Sequence, residues 1–213
     1  MWWFTSVVLA YFLGSIPSAY YAIKWMKGSD LRDLGSGNLG FTNCARVIGW
    51  KCSIPILIFD ILKGVAAVSI ARCLVPNQEL LAVLAGLVAV LGHNWTIFLG
   101  FKGGGKGVAT SAGVFAALAP VPFIITLVVF LITISTTRYM SLGSMLGGVT
   151  LAASSLILII IQSPAAPSLE VLVFSLMAAS LIIIRHITNI RLLLRGEESK
   201  LGAKKTNFPE KDK

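Results

Sequence analysis

Carboxylates are scarce in this chain. Nine Asp and Glu stand among 213 residues, against eighteen Lys and Arg, and charged side chains of either sign make up only 13%. So few acids leave no acidic cluster of the kind that binds divalent ions for phosphate chemistry, and they argue against any metal site. Histidine is rarer still. Phe98 stands five positions after His93 and Arg191 five after His186, so neither histidine opens a His-x4-Asp pair. There is no Gly-x-Ser-x-Gly nucleophile elbow. Cys44, Cys52 and Cys73 lack metal-ligand spacing and leave one thiol over, so they read as reduced or packed residues.

What the chain has in place of charge is apolar length. Hydrophobic residues make up 56% of it, and several runs reach the roughly 20 residues that cross a bilayer as a helix. The expectation is an all-α integral membrane protein. The first run continues past Trp2-Trp3 to Ile23 with no preceding Lys or Arg, which reads as a retained span with interfacial tryptophans. The net charge of +9 gathers in loops and in the tail beside apolar runs, the pattern of the positive-inside rule and of anionic lipid, with no nucleic-acid partner.

Apolar runs and their breakers give seven spans near 3–24, 52–73, 79–99, 107–119, 121–137, 141–162 and 169–186. The fourth is short and carries Thr110, Ser111 and Gly113. With seven spans and the N-terminus outside, one face collects Lys24, Lys27, Arg32, Arg46, Lys51, Lys102, Lys106, Arg138 and the basic residues from Arg185 onward, leaving Arg72 outside. That bias makes this face and the C-terminus cytoplasmic. Residues 1–196 form one transmembrane domain in this reading, and 197–213 a charged, mobile cytoplasmic tail.

The polar chemistry lies on the same face. Residues 100–107 read Gly-Phe-Lys-Gly-Gly-Gly-Lys-Gly, nearly a P-loop, but Gly107 stands where the magnesium-holding Ser or Thr belongs. The loop therefore suits phosphate without suiting a nucleotide triphosphatase. Gly35-Ser36-Gly37-Asn38 with Thr42, Asn43 and Arg46 makes a second candidate oxyanion cradle, for which an ordinary turn-rich connector is the plainer alternative. Asp60 and Lys63 share a helix face in the second span and read as an ion pair that anchors a loop. His93 reads as a packing residue. His186 and Asn189 lie three apart and can face one ligand, whereas Arg185 and Arg191 read as lipid-surface charges. Ser141 and Ser144 begin a helix at a corner, where caps and ligand contacts are both plausible readings.

Taken together, these residues resemble the bacterial membrane acyl-phosphate:glycerol-3-phosphate acyltransferases, the PlsY family. The resemblance runs from Gly14-Ser15-Ile16-Pro17-Ser18 through Gly35-Ser36-Gly37-Asn38, Asp60 with Lys63-Gly64, Gly92-His93, Lys102 to Thr110, and Ser141, to His186, Asn189-Ile190 and Arg195-Gly196-Glu197. Two features depart from the family pattern: the glycine loop is one residue longer, and Phe41 replaces a common alanine. The resemblance implies acyl transfer from acyl-phosphate to the sn-1 hydroxyl of glycerol-3-phosphate at the inner membrane, giving lysophosphatidic acid and phosphate. It implies no cofactor and no metal, and it makes the enzyme that supplies acyl-phosphate a candidate partner. On that basis Ser36, Gly37, Asn38, Gly103, Gly104 and Gly105 hold the donor phosphate. Arg46, Lys106, Ser141, His186 and Asn189 surround glycerol-3-phosphate, with Gly35, Thr42, Asn43, Lys102, Gly107 and Ser144 as further binding residues. The rival reading is a transporter of a phosphorylated metabolite, since broken helices and basic loops also suit anion carriage.

Overall fold

Residues 1–202 are described by the computed structural model, and among them the regular structure is helical, without strands. Pro17 splits the first apolar run into α1 (Trp2–Ser15) and α2 (Ser18–Lys27), the second closed by Gly28 in the left-handed conformation. Then follow α3 (Phe41–Ile48), α4 (Trp50–Leu74) and α5 (Glu79–Asn94). After the glycine loop come α6 (Val108–Leu118), α7 (Pro120–Thr137) and α8 (Met140–Ile160). The last two are α9 (Leu169–Arg185), capped by the Ser168 hydroxyl, and α10 (Ile187–Leu194), bent from α9 by 57° at His186.

Five helical stretches among the described residues are long and apolar enough to cross a membrane, or six if α9 and α10 count as one. The expected fourth span is the exception. Its helix has 11 residues, about 16 Å at 1.5 Å per residue, half of a hydrocarbon core. Gly107 at φ 78° stops it at one end, and Pro120 opens α7 two residues beyond the other.

Buried in the centre of the bundle, α5 packs on α1, α4, α6 and α9, while α7 lies outside and touches mainly α8. The main core joins Val68, Val114, Phe115, Leu151 and Phe174, with the Phe115 and Phe174 rings stacked at 4.8 Å. Without a hydrophobic drive between helices in lipid, close backbone approach supplies the packing energy. The α4–α6 seam shows it: a Cβ on Gly113 would sit 1.9 Å from the Ile61 carbonyl oxygen, and one on Gly64 2.2 Å from that of Thr110.

Asp60 and Lys63 do pair, at 2.8 Å and almost wholly buried. They clamp the helix break rather than a loop. Ser18 donates to Asp60 at 2.8 Å, and Lys63 donates to the Ile16 carbonyl at 3.1 Å alongside the Ser18 amide at 3.0 Å, which holds the backbone on either side of Pro17.

Gly113→Val forces α4 and α6 apart and costs about 1–3 kcal/mol by overpacking. A thermal-shift measurement in detergent is expected to show a clear fall in midpoint, while Ile124→Val on the lipid face leaves it unchanged.

Candidate active site

Three breaks in helical backbone meet on one side of the bundle. The first is the loop between α2 and α3. Asp30 accepts from the Arg32 amide at 2.9 Å and starts a short 3-10 turn, while Leu31 and Leu39 are buried and pin the loop to the bundle. Asn43 staples it from within: its side-chain oxygen accepts from the Ser36 amide and its nitrogen donates to the Leu34 carbonyl, both at 2.9 Å. Asn43 thus shapes the cradle that it borders, a structural task in addition to the expected contact with a ligand. Arg32 then reaches across and donates to the Lys102 carbonyl at 3.1 Å, joining the first loop to the glycine loop.

The glycine loop is locked at Gly105. Its amide donates to the His93 carbonyl at 3.0 Å, and its carbonyl accepts from Arg185 at 2.8 Å. The His93 ring lies so close that a Cβ on Gly105 would meet Nε2 at 1.8 Å. The amides of Gly103, Gly104, Lys106 and Gly107 donate to no acceptor among the described residues. Directly after them α6 begins, so its positive end and unpaired amides point the same way.

The third break is at His186. Its Nδ1 lies 2.7 Å from the Ile182 carbonyl, which can only accept, so Nδ1 donates and Nε2 keeps a lone pair when the ring is neutral. One turn on, the Asn189 side-chain oxygen accepts from Lys106. Residues 197–202, taken from sequence as the start of a mobile tail, instead return over the site. Arg46 donates to the Ser199 carbonyl at 3.4 Å, Arg138 donates to the Leu201 carbonyl at 2.7 Å, and Glu198 is buried. Residues 203–213, the rest of that tail, lie outside the described residues.

These pieces line one cavity of about 980 Å³. Ser36, Gly37, Asn38, Thr42, Asn43, Arg46, Gly103, Gly104, Lys106, Gly107, Ser141, Ser144, His186 and Asn189 all border it. Gly35, Lys102 and Gly105 do not. Lys102 is exposed and contributes its carbonyl to Arg32, and Gly105 backs onto His93. The Ser141 hydroxyl is buried without a partner among the described residues, whereas Ser144 donates to the Met140 carbonyl at 2.8 Å. From this polar mouth the cavity continues between α6, α7 and α8, past Phe130 and Leu127, to Phe115, Phe123 and Leu151.

Sequence reasoning missed Arg185 and Glu198. Arg185 is not a lipid-surface charge: it stacks on Trp95 with 5.4 Å to the ring centre and holds Gly105. The available signal for Glu198 was a pair of acids, Glu197 and Glu198, within a stretch otherwise carrying Arg185, Arg191, Arg195 and Lys200. Burial pushes the Lys106 ammonium down to about 8; Arg185 and Arg46 act the same way, and Glu198 opposes them.

An anion held by charged Lys106 is therefore gripped fully below pH 8 and progressively less above it. Binding of glycerol-3-phosphate, measured by calorimetry in detergent, is expected to weaken about tenfold per unit well above pH 8. In Lys106→Met the affinity is low and this alkaline limb is absent.

The family model for glycerol-3-phosphate acyltransferase matches residues 4–196. A glycerol-3-phosphate acyltransferase of Thermoanaerobacter pseudethanolicus is 42% identical over 199 residues, covering 93% of this chain and 96% of that protein. One from Trichormus variabilis is 38% identical, covering 96% and 94%. The crystal structure of PlsY (YgiH), an integral membrane glycerol 3-phosphate acyltransferase, in its glycerol 3-phosphate form superposes with TM-score 0.81 at 36% identity, over 94% of this chain and 96% of that one. Its lysophosphatidic acid form gives TM-score 0.79 at 34% identity, over 94% and 95%.

Proposed function

The chain belongs to the glycerol-3-phosphate acyltransferase family, and on that premise we propose that its acyl donor is an acyl-phosphate and its products are lysophosphatidic acid and inorganic phosphate. The observation that carries this reading is the single cavity with a cationic mouth and an apolar arm. An acyl-phosphate has both parts, and it needs a water-poor apolar wall beside an anion cradle. The relative with a glycerol 3-phosphate form and a lysophosphatidic acid form supports the same acceptor and product.

The chemistry balances without a covalent enzyme intermediate. The sn-1 hydroxyl oxygen attacks the acyl carbon, the bond from that carbon to the phosphate oxygen breaks, and phosphate departs with the electron pair. The hydroxyl proton goes to a departing phosphate oxygen, with the His186 Nε2 lone pair available to orient the hydroxyl. Ser36, Gly37, Asn38 and the free amides of Gly103 and Gly104 face the donor phosphate in this scheme, while Arg46, Lys106, Ser141 and Asn189 face glycerol-3-phosphate. Positioning of two reactants supplies up to about 7–11 kcal/mol, and donors aimed at the leaving phosphate add electrostatic stabilisation.

The basic residues around the mouth favour a cytoplasmic site in a bacterial inner membrane, with the N-terminus outside and seven crossings if α6 and the loop before it serve as the fourth. The transporter reading fits less well. The inner end of the cavity is the apolar core of Phe115, Phe123 and Leu151, which offers a phosphorylated metabolite no polar path.

Purified protein given palmitoyl-phosphate and glycerol-3-phosphate is expected to release phosphate only when both are present, and Lys106→Ala to abolish it. Release no faster than spontaneous donor hydrolysis, with palmitoyl-CoA active instead, would overturn the donor assignment. Separately, His186→Ala is expected to raise KM for glycerol-3-phosphate about tenfold or more while kcat falls less, the pattern of a lost binding contact. A pH-independent kcat loss of many thousandfold in His186→Gln would make the histidine the base.

A further inference from the structure

A buried carboxylate sits in the anion site without being part of the proposed chemistry. Glu198 accepts from the Asn189 side-chain nitrogen at 2.7 Å, while the oxygen of the same amide accepts from Lys106. An amide has one donor end and one acceptor end, so a carboxylate, which only accepts, decides which end faces the lysine. Were the amide reversed, two acceptors would face each other and two donors would meet at Lys106. The segment bearing Glu198 is held from three directions. Arg46 donates to the Ser199 carbonyl, the Leu201 amide donates to the Arg138 carbonyl at 2.7 Å, and Lys200 lies over the Tyr139 ring at 5.5 Å.

We propose that Glu198 is a positioning residue: by fixing the Asn189 amide it aims the Lys106 ammonium into the mouth where the acceptor phosphate binds. The proposal rests on the acyltransferase reading for the identity of that phosphate. The charges around Lys106 come from every wall. Arg46 on α3 and Arg185 on α9 are cationic, with His186 beside them, Asp60 borders the cavity from α4, and Glu198 is the acid placed on the Lys106 and Asn189 side. Taking the carboxylate away therefore removes the acid nearest Lys106 and leaves the opposing Arg185 and Arg46, so the ammonium gives up its proton at lower pH.

The test measures kcat/KM for glycerol-3-phosphate against pH, which reports groups of the free enzyme. Wild type is assayed first, so that failure of the acyltransferase reading shows as absent wild-type activity. Calorimetric binding of glycerol-3-phosphate gives a second readout that needs no turnover. In Glu198→Gln the alkaline limb is expected to move to lower pH by about one unit, with KM raised about tenfold and kcat changed less. Glu198→Asp restores most of the limb, and Glu197→Gln, at the exposed neighbour, leaves it in place. Should Glu198→Gln not be recovered folded, the Glu198→Asp limb decides, and it is expected between wild type and the shift above. An unmoved limb in Glu198→Gln, or in Glu198→Asp where only that variant folds, overturns the proposal. So does a fall in KM, which would make the carboxylate a competitor of the substrate phosphate.

Discussion

Backbone that leaves the helix inside a membrane must find hydrogen bonds in protein, because lipid supplies none. This constraint organises the molecule. The helix breaks at Pro17, and the buried Lys63 and the Ser18 amide both donate to the Ile16 carbonyl beside it. The glycine loop just before α6 has no helical ladder, so Gly105 borrows one partner from His93 and another from Arg185. The break at His186 is sealed by its own ring on the Ile182 carbonyl. Each repair brings a polar side chain into the bundle, and Arg185 and His186, which serve the second and third, border one cavity. The site is in this sense a by-product of broken helices being made tolerable at a single place.

Electrostatics follow from the same placement. Arg46, Lys106 and Arg185 are held at a partly buried mouth where water screens them poorly, so they strengthen binding of an anion more than surface charges would. Burying a cation has a cost, visible in the proton affinity of Lys106, which burial depresses first and the neighbouring Arg185 and Arg46 depress further. Glu198 relieves that crowding, and its carboxylate lies to one side, on Asn189, leaving the mouth lined by donors. A mixed anhydride with a good leaving group asks for little beyond this. Donors that neutralise the departing phosphate, and a fixed hydroxyl, meet the need without a nucleophile of the enzyme's own.

Much of this was legible in the sequence, because apolar length and its interruption are local signals. Helix positions follow the apolar runs closely, and the two glycine-bearing loops do converge. What escaped depends on partners distant in sequence. The half-length of α6 is set by Gly107 and Pro120 together, and hydropathy alone reads the stretch as a span. Asn43 reads as a ligand-binding amide, and only the fold shows that it also ties Leu34 to Ser36. Lys102 looks like the twin of Lys106, but the loop turns it outward and uses only its carbonyl. Arg185 and Glu198 lie in a charged segment whose composition reads as a solvated or lipid-facing edge. Arg185 joins the site by holding Gly105, and the return of residues 197–202 over the mouth brings Glu198 to it.

The boundary between mouth and arm locates the reacting carbon on the acyl-phosphate reading. The donor phosphate is drawn to the free amides before α6, and the chain is excluded toward Phe130 and Leu127, so the carbonyl must lie between them. Ser141 at the start of α8 and Ser111 in the first turns of α6 border the same cavity, both buried and both without a partner among the described residues. Buried hydroxyls left unpaired are costly, so a ligand that completes them is held more tightly. On the proposed scheme Ser141 meets glycerol-3-phosphate, which brings its sn-1 hydroxyl to the boundary where the carbonyl lies. Transfer then takes place where the two anion sites meet the apolar arm.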